Sequence, residues 1–115
     1  MPTLPTWAGK SSFSYVGSVK KGTTITYGRG FHIIISAEQY TALLNHFRGH
    51  TVSIGTPRTN PRPGSVGEWL QSNVTRTAVA SYVGPILIEE GYAERVEAGG
   101  SEIRFPHSYA GRSSR

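Results

Sequence analysis

Between residues 36 and 49 the apolar positions Tyr40, Leu43, Leu44 and Phe47 recur at i, i+3, i+4 and i+7, the period of one helical face. Ser36 followed three residues later by Gln39 makes a capping box, and Gly49 stands where a left-handed C-terminal cap is wanted, so this pattern predicts a helix that opens at Ser36. The chain before it is β-prone. Residues 13–19 and 23–27 flank Lys20-Lys21-Gly22 and predict a hairpin, with Gly22 supplying the permissive backbone of the turn. Residues 31–35 form an apolar run after Gly28-Arg29-Gly30, which predicts a strand buried on both faces.

Beyond the helix, residues 51–54 predict a short strand. Residues 55–64 hold three prolines in ten positions and can be neither helix nor sheet interior, so they predict a loop. Ser65 with Glu68 forms a second capping-box pattern, opening a short helix with Val66, Trp69 and Leu70 on one stripe and its end near Asn73. Thr75 has the chemistry of an N-cap for a third helix beginning at Arg76. About three residues would then separate the two helices, which is helix-turn-helix spacing. Gly84-Pro85 interrupts that third helix, and an interior proline removes a donor and clashes with the preceding turn, so a kink or a restart is expected there. Residues 93–96 and 101–105 around Gly99-Gly100 predict a closing hairpin. No internal repeat is present. Residues 1–12 and 106–115 have the composition of flexible tails, leaving residues 13–105 as a single domain.

Charge changes the picture next. The 115 residues carry 12 Lys+Arg against 7 acids, all of them Glu, for a formal net charge of +5. Residues 1–88 hold eight basic side chains against Glu38 and Glu68, residues 89–102 hold five Glu against Arg95, and the last thirteen residues return +3. A basic balance of this kind concentrates polyanions, and here it is built mainly by the first three quarters of the chain. The absence of cysteine excludes a disulfide framework, a thiol nucleophile and thiolate metal sites. No apolar run approaches the roughly 18 residues of a membrane-spanning helix. A cytoplasmic protein without membrane partners is the expectation.

With these elements in order, residues 75–83 (Thr75-Arg76-Thr77-Ala78-Val79-Ala80-Ser81-Tyr82-Val83), then Leu87, Gly91-Tyr92 and Glu94-Arg95-Val96, resemble the recognition helix and wing of winged helix-turn-helix transcriptional regulators. The resemblance spans about residues 36–105. It implies an α+β, winged-helix-like three-helix core with a C-terminal β-hairpin wing, preceded here by an N-terminal β-hairpin and strand extension. It also implies double-stranded DNA as partner, with the helix from Arg76 in the groove. The chain departs from the family at Gly84-Pro85 and in the charge of its wing, where Glu94, Glu97 and Glu102 stand beside Arg95 and Arg104.

On a helical wheel Val79 and Val83 would define the core face of that helix, with Thr77 and Ser81 opposite and Ala78 on a flank. Hydroxyls can bond base edges or phosphates, an alanine methyl can meet a thymine methyl, and Arg76 could pair with a phosphate or fork onto guanine. Thr75 would cap the helix. Lys20 and Lys21 at the hairpin tip, with Arg58 and Arg62 in the Pro-rich loop, are the candidate phosphate contacts. His46 and His50 have ligand spacing but no third donor nearby, so no metal is expected. There is no Asp and no nucleophile with a base and an orienting group, hence no enzyme and no cofactor. A DNA-binding module or transcriptional regulator is therefore the first expectation. The alternatives are a protein-interaction module on the same fold and the binding subunit of a nucleic-acid enzyme. Residues 13–35 offer a β region through which a homodimer could form.

Overall fold

The computed structural model describes residues 3–57, 59 and 61–107. The architecture is α+β. Four antiparallel strands come first, β1 (Thr3–Pro5), β2 (Ser12–Ser18), β3 (Gly22–Tyr27) and β4 (Phe31–Ser36), paired in the order β1-β2-β3-β4. Then follow α1 (Ala37–Phe47), β5 (Thr51–Ser53), α2 (Val66–Asn73), α3 (Ala80–Glu89), β6 (Glu94–Arg95) and β7 (Glu102–Arg104), with the last three strands in the order β5-β7-β6. Three β-residues at Thr3–Pro5 and a buried Trp7 replace the flexible N-terminal tail expected for residues 1–12.

The caps behave as the sequence chemistry requires. The Gln39 N–H donates to Ser36 Oγ at 3.0 Å and the Ser36 N–H to Gln39 Oε1 at 2.9 Å, closing the capping box. Tyr40, Leu43, Leu44 and Phe47 are all buried. At α2 the Glu68 N–H donates to Ser65 Oγ, but the Glu68 carboxylate reaches the Gly64 N–H at 2.8 Å, so the box is completed one residue earlier than the motif suggests. The entry to α2 is tight. A Cβ on Gly67 would collide with the carbonyl oxygen of Gly55, and one on Gly55, whose φ is +67°, would collide with Ser65 Oγ.

Three expectations are corrected here. The third helix begins at Ala80 rather than Arg76, with Val79 as N-cap, and six residues, 74–79, separate it from α2. Thr75 does not cap it: its Oγ1 accepts the Thr77 N–H at 3.3 Å, a local turn that competes with helix. The helix also runs through Pro85 without a restart. Proline cannot donate to the Ser81 carbonyl four residues back, and that carbonyl instead accepts the Trp7 N–H at 3.0 Å. The third correction is β4, which is an edge strand with Phe31, His32 and Ile34 exposed, not a strand buried on both faces.

The core is continuous across both sheets. Ile25, Ile35, Leu43, Ile54, Leu70, Val83, Ile86, Leu87 and Ile103 are nearly or wholly excluded from solvent. Aromatic packing ties α3 to the four-stranded sheet, since Tyr82 stacks on Tyr27 at 4.9 Å between ring centroids and meets the Phe13 ring edge-on at 5.2 Å. Trp69, on the expected apolar stripe of α2, is half-buried and packs against the core beside Phe47. Ile25 and Tyr15 fill the inner face of the sheet; its outer face is left open.

Candidate functional site

The sequence placed its reading head on the segment 75–83, and α3 there is enclosed. Ala80, Val83, Gly84, Ile86 and Leu87 are buried, and Ser81, Tyr82, Pro85 and Ile88 are half-buried, so from Ala80 to Ile88 no residue is exposed. A groove-reading helix projects a solvated row of side chains into a major groove about 8.5 Å deep, and α3 offers only half-buried side chains over this stretch. Trp7 is one reason. A Cβ on Gly84 would lie 2.7 Å from Trp7 Cε3, so the indole rests directly on the α3 backbone. Thr77 and Ala78 precede the helix in the 74–79 connection and are half-buried, and Arg76, in the same connection, is exposed.

The closing hairpin is strapped down as well. Trp7 Nε1 donates to the Gly100 carbonyl at 2.9 Å, Arg95 donates to the same oxygen at 3.0 Å, and the Arg95 guanidinium lies 4.1 Å above the Trp7 ring. This is a cation–π contact made with the hairpin's own support. Arg104 pairs with Glu94 at 3.2 Å, leaving Glu97 and Glu102 exposed on the hairpin.

Arg62 borders a cleft of about 620 Å³ between the Pro-rich loop and the hairpin, facing Glu97 and Glu102 across it. Arg76 lines a neighbouring hollow with Gln71, Ser72 and Glu68 on the other side of Pro63. Lys20 and Lys21 are exposed in the β2–β3 turn, next to Val19, whose N–H donates at 2.9 Å to Glu90 just past the far end of α3. Arg58 lies outside the described residues. No group of three metal-ligating side chains occurs among the described residues, and none of their helices is long and apolar enough to cross a membrane.

Buried tyrosines mark the inner side of the sheet. Burial pushes the Tyr15 hydroxyl above its usual value, reinforced by its 2.9 Å hydrogen bond to the Glu90 carboxylate. Burial likewise raises Tyr40, opposed by its 2.7 Å bond with Thr23, and raises Tyr82 with a contribution from Tyr27. Tyr15 and Tyr40 are buried, and Tyr82 is half-buried against Tyr27.

A different surface stands out. The register Val16↔Thr24↔Ile34 and Thr3↔Ser14↔Thr26↔His32 puts two cross-strand rows on the outer face of the sheet, and neither carries a charged side chain. On this outer face Ile34 is 72% and Val16 45% exposed; Phe31, 61% exposed, lies on the opposite face beside Tyr27, and these are the large apolar side chains open to solvent among the described residues. Natural edge strands are usually guarded by charge, proline or a bulge, and β4 has none of these within Phe31–Ser36. The signal available in the sequence was His32, which interrupts the apolar run and sets an alternation of outward and inward positions. It bonds Thr26 Oγ1 at 3.0 Å on the exposed face.

Comparison with protein-family models, with curated proteins and with solved structures finds no match to the chain. Its function rests on the geometry above.

Proposed function

We propose that the chain is a protein-interaction module on a winged-helix-like scaffold, receiving an extended strand of a partner at the β4 edge rather than reading a DNA groove with α3. The single observation that carries this reading is the contrast between α3, where every residue from Ala80 to Ile88 is buried or half-buried, and β4, which exposes Phe31 and Ile34 on an unguarded edge. Three helices and the β5-β7-β6 sheet support the winged-helix-like description. An edge strand offers a row of unused backbone donors and acceptors, and strand addition satisfies them while side-chain alternation selects the partner. The uncharged rows on the outer face favour an uncharged strand of alternating apolar and hydroxyl residues.

A second reading, backbone contact with duplex DNA, is favoured by one observation, the exposure of Arg62 and Arg76 on either side of Pro63. The two separate in one experiment. Titrating the dilute chain with short neutral peptides of alternating valine and threonine, followed by amide chemical shifts, should move residues 31–36 first. Shifts confined to residues around Arg62 and Arg76 on adding duplex, with none at β4 on adding peptide, would favour the second.

A further inference from the structure

Resting on the strand-addition reading, we infer that the β4 edge pairs with the β4 of a second copy of this chain, antiparallel about a two-fold axis at Ile34. Charge selects this occupant. Phe31–Ser36 carries no charged side chain, yet exposed Arg29 leads into it and exposed Glu38 leads out of it. An antiparallel two-fold lays the entry of one strand beside the exit of the other. With Ile34 opposite the second copy's Ile34, His32 falls opposite the second copy's Ser36, where β4 ends and α1 begins. Arg29, two residues before β4, and the second copy's Glu38, in the first turn of its α1, are thereby brought to the same end of the paired strands, and this happens twice by symmetry. Opposite charges across paired strands are favourable and like charges are not.

The same register disposes of the most exposed side chain. Ile34, 72% exposed in the single chain, meets its own counterpart on the outer face, where Val16 and Thr24 continue the row on both sides. The eight-stranded sheet that results has β1 at each end, where Pro5 guards the edge. A six-residue edge gives a contact below the roughly 1,200 Å² of stable interfaces, so the dimer is concentration-dependent.

Sedimentation velocity from about 1 µM to about 500 µM, the range of weak association, tests this directly. The parent chain should move from monomer to dimer across the range. Ile34→Lys, on an exposed position and checked for fold by circular dichroism, should weaken association at least about tenfold by setting two ammonium groups against each other. Arg29→Glu should weaken it about fivefold, and Arg29→Glu combined with Glu38→Arg should return it to within about twofold of the parent. A parent monomeric throughout, a dimer that survives Ile34→Lys, or Arg29→Glu dimerising like the parent overturns the inference. So does a monomer whose β4 amides facing away from β3 are already protected from hydrogen exchange, since its own chain would then cover the edge. Peptide binding at β4 by a chain that never dimerises overturns self-pairing alone and leaves the strand-addition reading in place.

Discussion

The backbone N–H of Trp7 donates at 3.0 Å to the carbonyl of Ser81, the acceptor that Pro85 leaves without its helical partner. A residue that breaks helices in isolation is thus accommodated because a segment some seventy-five positions earlier supplies the missing donor. The same Trp7 side chain covers Gly84, underlies Arg95 and bonds Gly100, so one residue joins the N-terminal segment, α3 and the closing hairpin.

Trp7→Ala should therefore destabilise the fold by about 3 to 5 kcal/mol, the range for truncating a buried aromatic, even though it lies in a segment whose composition is that of a tail. Thermal or urea unfolding measures this. A chain lacking residues 1–9 that melts with the parent would contradict it.

Gly84→Ala runs against helix propensity. In an open helix the change gains about 1 kcal/mol, but here the new methyl lies 2.7 Å from Trp7 Cε3 and 2.8 Å from Ile54 Cδ1. The isoleucine tip can rotate away and the buried indole cannot, so a net loss of about 1 to 3 kcal/mol is expected. Gly67→Ala should be worse, because its methyl meets the Gly55 carbonyl, which is backbone. A denaturation midpoint at or above the parent's for either variant would rule out the packing described.

Alkaline pH should unfold the protein through its tyrosines. Burial raises Tyr15, Tyr40 and Tyr82 above the ordinary value of 10.0, so above that pH the unfolded chain holds fewer protons than the folded one. Stability from these groups is fully present below about pH 10 and falls as pH rises beyond it. Tyrosinate absorbance followed together with circular dichroism should show Tyr15 and Tyr40 ionising only with unfolding. Ionisation of both near pH 10 in a chain of native ellipticity would refute the burial.

Much of the fold was legible because its signals are local. The capping box at Ser36, the cap at Ser65 and the period of Tyr40, Leu43, Leu44 and Phe47 each involve residues within one or two turns, and the helices stand where those signals put them. Arg76 was misplaced because the competing signal, Thr75 Oγ1 binding the Thr77 N–H, uses the same chemistry as an N-cap. The enclosure of Ser81 and Tyr82 was not legible at all, since it depends on Trp7, Phe13 and Tyr27 arriving from distant sequence. Likewise an apolar run such as residues 31–35 has the same appearance in a central strand and at an unguarded edge, and only strand order distinguishes them.

Whether α3 is closed to a DNA groove is read from the fluorescence anisotropy of a labelled random-sequence duplex titrated with the parent chain and with folded Thr77→Glu/Ser81→Glu, at low and at physiological salt. Phosphate contacts make affinity fall steeply with salt, and a groove helix would lose binding when two carboxylates are set on it. The predicted result is no difference between the two proteins at either salt, with any weak low-salt binding shared by both. Tight, salt-dependent binding by the parent that disappears in the folded double variant would contradict that closure and restore the 75–83 segment as the reading head.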